Sequence, residues 1–377
     1  MTAVEIAGVG LHPFGRFEDQ TATSMGVTAL RAALDDAGWS IDDARRRVGA
    51  AFCATAYGGV AAGHRVLGGL ALTGIPIVDV EAGCASGGAA LSLAAGTIAS
   101  GQHDAAIVVG IEKMPKGIIR SSFFAPWQEQ SGLAATPAYF ALRAQRTMHD
   151  HGLTKDDLAA LVVKNRGWGE LNPNAMFRSA VTAEQVLGSR LVCEPLHLWM
   201  LCSPNEGAAA VLLRRAEGGS GAVQLAAVAL RSHLPGHVLD ESTPMAGLID
   251  DGDITPPTTL AVRDAYEQAG VGPDDVDVAE CQDTDAAREL LTWSELGLCA
   301  AGDQRSMLHG DRGQVVNRSG GLLSKGEPLG ASALGQVVEL VGQLRGTAGA
   351  RQVDGARVGL AHTIGRGANA SVTILRR

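Results

Sequence analysis

Paired cysteines are missing from this sequence, and aromatic side chains are scarce. The six cysteines are dispersed without any Cys-x-x-Cys spacing, which favours reduced thiols over disulfides or a zinc site. We therefore expect no bound metal. Aromatic residues make up only 4% of the chain, so a local concentration of them is a candidate for a binding surface.

An excess of positive charge and long hydrophobic runs are also missing. Lys and Arg number 31 against 40 Asp and Glu, which argues against nucleic acid or an anionic membrane as the main partner. A local basic patch for a phosphorylated ligand stays compatible with this balance. No apolar run reaches membrane-spanning length, and residues 1–6 lack the features of a signal peptide. We expect no membrane span and a cytoplasmic location.

Apolar residues and glycine are abundant. Hydrophobic residues make up 46% of the 377 residues, and 49 are glycine, which predicts a compact α/β protein large enough for two core-bearing units. The glycine-rich tracts at 58–59 and 365–367 lack the strand, spacing and helix of a Rossmann or P-loop motif. We therefore expect neither a bound cofactor nor nucleotide-dependent chemistry.

Cys84 is the most informative residue, because it lies in the segment 81–88 (EAGCASGG) between two structured segments. Residues 75–80 have the pattern of a short buried strand, and residues 89–98 that of a closely packed helix. A thiol at a strand-to-helix turn meets the positive end of the helix and free backbone N–H groups, which favour the thiolate and can bind an oxyanion. The alternative is a buried structural cysteine.

Strands and helices are predicted to alternate in the same way in two halves, 1–218 and 219–377. An irregular stretch at about 115–205 interrupts the first half and predicts a functional loop domain with short helices of its own, such as one at 138–149. The Gly-rich, charged segment 214–221 links the halves. Periodicity alone predicts an α/β protein with buried strands.

A second motif, at 317–332 (NRSGGLLSKGEPLGAS), resembles the thiolase superfamily. The resemblance is strongest to the sterol-carrier-protein-type thiolases and the thiolase-like lipid-transfer proteins, and the segments 289–299 and 358–367 resemble their counterparts in the same order. It extends over essentially the whole chain. It implies the thiolase fold, in which duplicated βαβαβ halves form a five-layered α/β/α/β/α sandwich, with the loop domain inserted into the first half.

The same resemblance assigns Cys84 as the nucleophile that becomes acylated. The chain departs from the family at two other places. The His-Asp-Cys-Phe motif is replaced by the segment 282–285 (QDTD), and the histidine of the Gly-His-Pro motif is replaced by Glu327. A carboxylate accepts a proton, but it also adds negative charge near Cys84 and tends to raise the pKa of a thiol. The usual Cys–His pair is therefore absent from its usual position.

His362 is then the expected base, because sterol-carrier-type relatives often carry histidine there. By analogy with the fold it is expected to share the cavity of Cys84, and an imidazole suits proton transfer near neutral pH. The alternative is a core histidine that only forms a hydrogen bond beside the final strand.

Substrate contacts are expected from two groups of residues. One belongs to the family motifs: Gln282, Asp283, Ser324 and Gly365. The other is the cluster of bulky side chains in the inserted stretch, which includes Phe123 and Trp127. That cluster is expected to line an acyl or aromatic pocket, although a dimer surface or ordinary packing accounts for it equally well.

The sequence leads to three hypotheses on function. In the first, a thiolase-like acyltransferase, Cys84 takes an acyl group from a thioester such as acyl-CoA and passes it to an acceptor, while His362 assists deprotonation of the thiol or of the acceptor. Glu327 is a third candidate catalytic residue, and the sequence leaves open whether it acts as a base, acts as a neutral donor or has lost its role. This would not be a standard β-ketothiolase. The second is a CoA-thioester retro-aldolase, and the third a non-catalytic subunit that binds acyl-CoA or scaffolds a complex. The resemblance also implies a homodimer and a small partner protein with an OB-fold and a zinc ribbon.

Overall fold

The computed structural model describes residues 2–117, 126–132, 135–219, 221–234, 255–365 and 369–377. Its strands are β1 (Val4–Gly15), β2 (Val48–Ala54), β3 (Ile77–Val80), β4 (Ala105–Lys113), β5 (Leu191–Cys193), β6 (Leu196–His197), β7 (Glu206–Arg215), β8 (Val223–Ser232), β9 (Val278–Cys281), β10 (Val358–Ile364) and β11 (Asn369–Arg376). Its helices are α1 (Ala22–Asp36), α2 (Ile41–Arg47), α3 (Ala62–Gly68), α4 (Ser86–Ala99), α5 (Pro126–Gln130), α6 (Thr136–His151), α7 (Lys155–Glu170), α8 (Ala183–Gly188), α9 (Pro257–Ala269), α10 (Ala286–Glu295), α11 (Gln304–His309), α12 (Asp311–Gln314), α13 (Gly321–Lys325) and α14 (Leu329–Arg345).

The local sequence explains where several of the helices begin and why two of the strands are buried. Thr21, Ser40 and Thr154 cap α1, α2 and α7 with reciprocal side-chain hydrogen bonds to the third residue of each helix, which satisfies otherwise unpaired N–H groups. Strands β4 and β7 are nearly continuous runs of Ala, Val, Ile and Leu and are buried along almost their whole length, because helices cover both of their faces.

The two halves of the chain repeat one topology. In the first half the strand order is β3-β2-β4-β7-β1, and in the second it is β9-β10-β11-β8. Val316 forms a parallel bridge with Ala279 of β9, at the position that β3 holds in the first half. The repeat also matches in strand direction, because the β2–β4 and β9–β10 pairs are parallel whereas the β4–β7 and β10–β11 pairs are antiparallel. The predicted duplication is therefore confirmed.

One ladder joins the two halves into a nine-stranded sheet. Strand β1 pairs with β8 only at Glu5 with Gln224 and at Ile6 with Val223. Strands β1 and β8 are the edge strands at which the two halves meet, so the short pairing satisfies backbone groups that a free edge would leave to solvent. The sheet is therefore continuous where two separate sheets would be expected from a layered sandwich.

The layers of the sandwich are visible in the packing of the helices. Helices α4 and α14 pack on each other and on strands of both halves, and their side chains share one buried core with strands of both halves. Helices α1 and α3 cover the outer face of the first half, and α9 covers that of the second. The order is helix, sheet, helix, sheet, helix.

The segment between β4 and β7 leaves the first half and reaches the second. It contains α5 to α8 and the hairpin of β5 and β6. Helix α6 packs against α10, and α7 packs against α13. The segment therefore forms a wall between the two halves. None of the helices in the described part of the chain combines the length and the hydropathy needed to cross a bilayer.

Candidate active site

A cavity of about 1170 Å³ lies where the two halves and the inserted segment meet. Its lining includes side chains from all three parts: Tyr57, Cys84, Cys202, Gln282, Thr284 and Glu327. A space of this size accommodates a small-molecule ligand with a long carrier group.

Cys84 occupies the turn between β3 and α4, as the sequence predicts. The Ser86 hydroxyl fixes this turn, because it donates to the Gly83 carbonyl and accepts from the Ala82 N–H. Gly83 adopts a φ of +59°, a conformation that glycine reaches without strain. The half-buried thiol thus lies at the positive end of a 14-residue helix.

Glycines allow this turn to pack against the second half. A Cβ atom at Gly88 would lie 1.9 Å from the Ser371 hydroxyl of β11, and one at Gly365 would lie 2.1 Å from the Ala82 carbonyl oxygen. Both distances are far below van der Waals contact. Gly365, an expected substrate contact, therefore abuts the turn that carries Cys84, and its own N–H donates to the Asn369 carbonyl.

Glu327 is held by contacts to both of its carboxylate oxygens. The Gln282 amide donates to Oε1 at 2.7 Å, and the Cys202 thiol donates to Oε2 with 3.1 Å between sulfur and oxygen. Gln282 is itself fixed, because its Oε1 accepts the Ile364 N–H. Glu327 precedes α14 by two residues, just as Cys84 precedes α4. Each of these side chains therefore lies at the positive end of a central helix.

Cys202 is a second thiol in the cavity that the sequence did not single out. Burial raises its pKa well above the usual range, and the nearby charge and hydrogen bond of Glu327 raise it further. Cys202 therefore stays protonated near neutral pH and donates to the carboxylate. The sequence gives no sign of this contact, because Glu327 lies 125 residues after Cys202. The two residues meet in the folded chain, where the backbone of Pro204 forms a bridge with that of Glu327.

Thr284 stands where the family motif carries its second thiol. Its hydroxyl accepts from Arg143 at 3.2 Å, and Arg143 forms an ion pair with Asp285. Thr284 thus ties α6 of the inserted segment to the second half and holds the wall of the cavity in place.

His362 is not brought into the cavity, contrary to the expectation that it shares that space with Cys84. Its side chain is fully buried, and its Nε2 shares a hydrogen bond of 3.0 Å with the Thr258 hydroxyl of α9. Burial, and then the charge of Arg288, lower its pKa well below the usual range, so the ring is neutral. The physical reason is strand alternation: Cys281 of β9 is paired with His362 of β10 and belongs to the outer core, and the His362 ring contacts Thr258 of α9 on that same face.

Other expected contacts also serve the framework instead of lining the cavity. The Asp283 carboxylate accepts the N–H groups of Leu322 and Leu323 at the start of α13, and burial, together with Glu289, raises its pKa. The Ser324 hydroxyl donates to the Asn165 carbonyl. Both residues are fully buried.

The aromatic expectation is met in part. Trp127 is exposed and does not line the cavity, and Phe123 lies outside the described residues. Phe140, Phe177 and Trp199 of the inserted segment do line it. The described part of the inserted segment therefore supplies apolar surface to the cavity, but Trp127 does not contribute to it.

Comparison with known proteins gives the family. Residues 4–189 match the model of the thiolase N-terminal domain, and residues 248–377 match the thiolase C-terminal domain-like model. An acetyl-CoA acetyltransferase of Methanothermobacter thermautotrophicus is 35% identical, with all of both chains covered. Sterol carrier protein 2 of Gallus gallus is 33% identical over 98% of this chain and 71% of its own length.

A solved structure described as an Ltp2-ChsH2(DUF35) aldolase has the same fold. It superposes with a TM-score of 0.83 and covers 99% of this chain and 97% of its own, at 23% identity. At that identity the likeness concerns the fold alone. The two family models, the identity to relatives over the full length and the duplicated halves around one cavity lead to a single conclusion: the chain belongs to the thiolase family.

Proposed function

We propose that this protein transfers an acyl group from a CoA thioester to an acceptor through an acyl-cysteine at Cys84. The observation that carries the proposal is the meeting of Cys84 and Glu327 in one cavity, each at the start of a central helix. A thiol and a carboxylate in that arrangement supply a nucleophile and a proton acceptor. The full-length relative named as an acetyl-CoA acetyltransferase supports the class of reaction.

In the first step the Cys84 thiol gives its proton to Glu327, and its sulfur attacks the thioester carbonyl. The C–S bond to CoA breaks, and CoA leaves as a thiolate that takes the proton back from Glu327. The positive end of α4 stabilises the negative charge that develops on the thiolate and on the carbonyl oxygen.

In the second step an acceptor gives its proton to Glu327 and attacks the acyl-cysteine. The bond to the Cys84 sulfur breaks, and the Cys84 thiolate takes the proton from Glu327. The enzyme returns to its starting state with no proton gained or lost. Gln282 and Cys202 keep the carboxylate oriented through both steps, because each donates to a different oxygen.

This mechanism assigns the role of base to Glu327 in place of His362. The imidazole of His362 is buried outside the cavity and is bonded to Thr258, so it has no path to the reacting atoms. A candidate base must come within hydrogen-bond reach of the proton it takes, directly or through one water.

Intact-protein mass spectrometry tests the proposal directly. Incubation with acetyl-CoA, butyryl-CoA and succinyl-CoA is expected to add the mass of one acyl group and to release one equivalent of CoA thiol. The adduct should be absent in Cys84→Ala and present in Cys193→Ala, a matched control at a half-buried cysteine.

The same experiment separates the two other hypotheses. A retro-aldolase cleaves a β-hydroxyacyl thioester without any protein adduct, and a non-catalytic subunit binds acyl-CoA without releasing the thiol. The absence of an adduct across the whole panel contradicts the acyl-cysteine mechanism, and a β-hydroxyacyl-CoA included in the panel separates the other two hypotheses, because only a retro-aldolase cleaves it.

We further propose that two copies of the chain pair through the edge of β3. This strand is the outermost one of the described sheet, and its Val78 is exposed, as are Val60 and Leu93 nearby in the first half. An unpaired edge beside exposed apolar side chains is the usual form of a strand-mediated interface. A small OB-fold and zinc-ribbon partner remains a prediction from the resemblance, and a cytoplasmic location remains a prediction from the sequence.

A further inference from the structure

Arg166 of α7 is a buried guanidinium that lines the cavity. Only 7% of the residue is exposed. It stacks on the ring of Phe177, with 4.2 Å between the guanidinium carbon and the ring centroid. Its Nε is buried and makes no hydrogen bond in the part of the chain that the structure describes. Within those same ranges no carboxylate forms an ion pair with it.

Other arginines of the cavity differ in this respect. Arg16 donates to the carbonyls of Met114 and Pro204 and contacts Glu206, and Arg143 is paired with Asp285. The N–H groups of those two side chains therefore already have hydrogen-bond or ion-pair partners within the protein. Of these three buried or half-buried arginines, Arg166 is the one whose N–H groups form no hydrogen bond or ion pair within the described residues.

A buried cation without an anion is costly, because desolvation is not offset by a partner. Burial lowers the pKa of Arg166 to about 10, so the side chain is still charged at neutral pH. Stacking on Phe177 uses the face of the guanidinium and leaves its N–H groups directed along the edge. The edge of a guanidinium matches a carboxylate or a phosphate in a two-bond arrangement.

We propose that Arg166 binds a carboxylate carried by the substrate, so that the preferred acyl donor is the CoA thioester of a dicarboxylic acid. This inference rests on the proposed function and adds the class of acyl group. The phosphates of CoA are the other possible oxyanion. Two further arginines of the cavity, Arg178 and Arg190, are exposed and suit those strongly hydrated groups, whereas a buried site suits the end of a short acyl chain.

Unreactive thioethers test the inference without acyl transfer. S-carboxypropyl-CoA and S-butyl-CoA have chains of equal length that differ in the carboxylate. Calorimetry on the wild-type protein is expected to show binding of the carboxylate ligand about tenfold tighter or more. Since a thioether cannot acylate Cys84, this preference is read independently of whether the proposed acyl transfer occurs.

Variants then locate the preference. Arg166→Gln should reduce the affinity ratio of the two ligands to about one, and Arg166→Lys, which keeps the charge but loses the fork, should give an intermediate ratio. Arg178→Gln is the matched control and should weaken both ligands equally. A ratio of two affinities within one variant is insensitive to partial unfolding of the sample.

The pantetheine thioethers distinguish the two oxyanions, because they lack the phosphates of the CoA nucleotide. The carboxylate preference should persist with S-carboxypropyl-pantetheine and S-butyl-pantetheine. The inference is overturned by equal affinities in the wild-type protein. It is also overturned if Arg166→Gln weakens both CoA ligands equally and leaves the pantetheine ligands unchanged, which would assign Arg166 to a phosphate.

Discussion

Two thiols line one cavity in this protein, and their surroundings give them opposite chemistry. Cys84 is half-buried at the start of α4, where the helix favours a negative charge. Cys202 donates to Glu327, and its pKa is raised by burial and by that carboxylate. One thiol is placed to become an anion, and the other is kept as a hydrogen-bond donor.

Cys84 is therefore expected to be the first cysteine to react with iodoacetamide near neutral pH. Burial, chiefly, raises the pKa of Cys53 and Cys281, and it raises the pKa of Cys299 to about 11, so these thiols are poor nucleophiles. Peptide mass spectrometry after short labelling measures the order. Faster labelling of Cys193 than of Cys84 would count against the assignment of the nucleophile.

Replacing Glu327 should slow acyl transfer much more than replacing His362. Glu327→Gln keeps the shape of the side chain and removes the proton acceptor, so the rate is expected to fall by about 10²- to 10⁴-fold. His362→Gln should keep most of the rate, because the imidazole is bonded to Thr258 outside the cavity. CoA release under single-turnover conditions is the measurement. The opposite ranking would restore His362 as the base.

His362 should also make the folded state sensitive to acid. Burial, and then Arg288, lower its pKa below the usual value of 6.5, so below that pH the unfolded chain binds a proton that the folded chain rejects. The contribution of His362 to the free energy of unfolding is therefore at its maximum above pH 6.5. It decreases as the pH falls below that value, by at most about 1.4 kcal/mol per pH unit. Urea unfolding at several pH values should show a shallower dependence for His362→Gln. Parallel curves for the two proteins would contradict this.

At the scale of elements, the start of α4 depends on glycine at one particular position. A methyl group at Gly88 would overlap the Ser371 side chain, so Gly88→Ala is expected to destabilise the fold by about 1–3 kcal/mol. It should also slow the labelling of Cys84 by moving the turn.

Gly96 provides the matched control within the same helix. Apart from the helix's own nearby backbone and the neighbouring residues, no heavy atom of the described residues lies within 4 Å of a Cβ built there, so Gly96→Ala should stabilise the protein by about 0.5–1 kcal/mol. Urea unfolding of both variants makes the comparison. Equal effects of the two substitutions would show that packing against β11 does not position the helix.

The sequence was most informative for elements with a strong local pattern. The helix predicted at 89–98 is Ser86–Ala99, and the helix predicted at 138–149 is Thr136–His151. These patterns depend on neighbours in the chain, and so does the position of Cys84 between β3 and α4. The family resemblance added the repeated topology, which periodicity alone does not specify.

The sequence was least informative where the direction of one side chain decides the outcome. His362 belongs to a strand buried on both faces, so hydropathy does not indicate which face the ring takes. The contact of Cys202 with Glu327 depends on two loops that meet only in the folded chain. In both cases tertiary packing determines the chemistry, and no local pattern encodes it.

At the scale of the whole molecule, light scattering at micromolar concentration should give a dimer of twice 38.8 kDa. Val78→Lys places a charge on the outermost strand and should yield a monomer. Leu171→Lys is the control, since Leu171 has a similar exposure, 42% against 44%, but lies at the end of α7. A wild-type monomer, or equal effects of the two variants, would exclude pairing through β3.

The repeated topology bears on the origin of the proposed catalytic pair. Cys84 and Glu327 occupy equivalent places, each two residues before the matching central helix of its own half. Two identical halves would present two identical side chains to the cavity, either two nucleophiles or two bases. The unlike pair therefore indicates that the two halves diverged after duplication, and in the proposed mechanism this divergence gives the acyl-accepting thiol to one half and the proton-accepting carboxylate to the other.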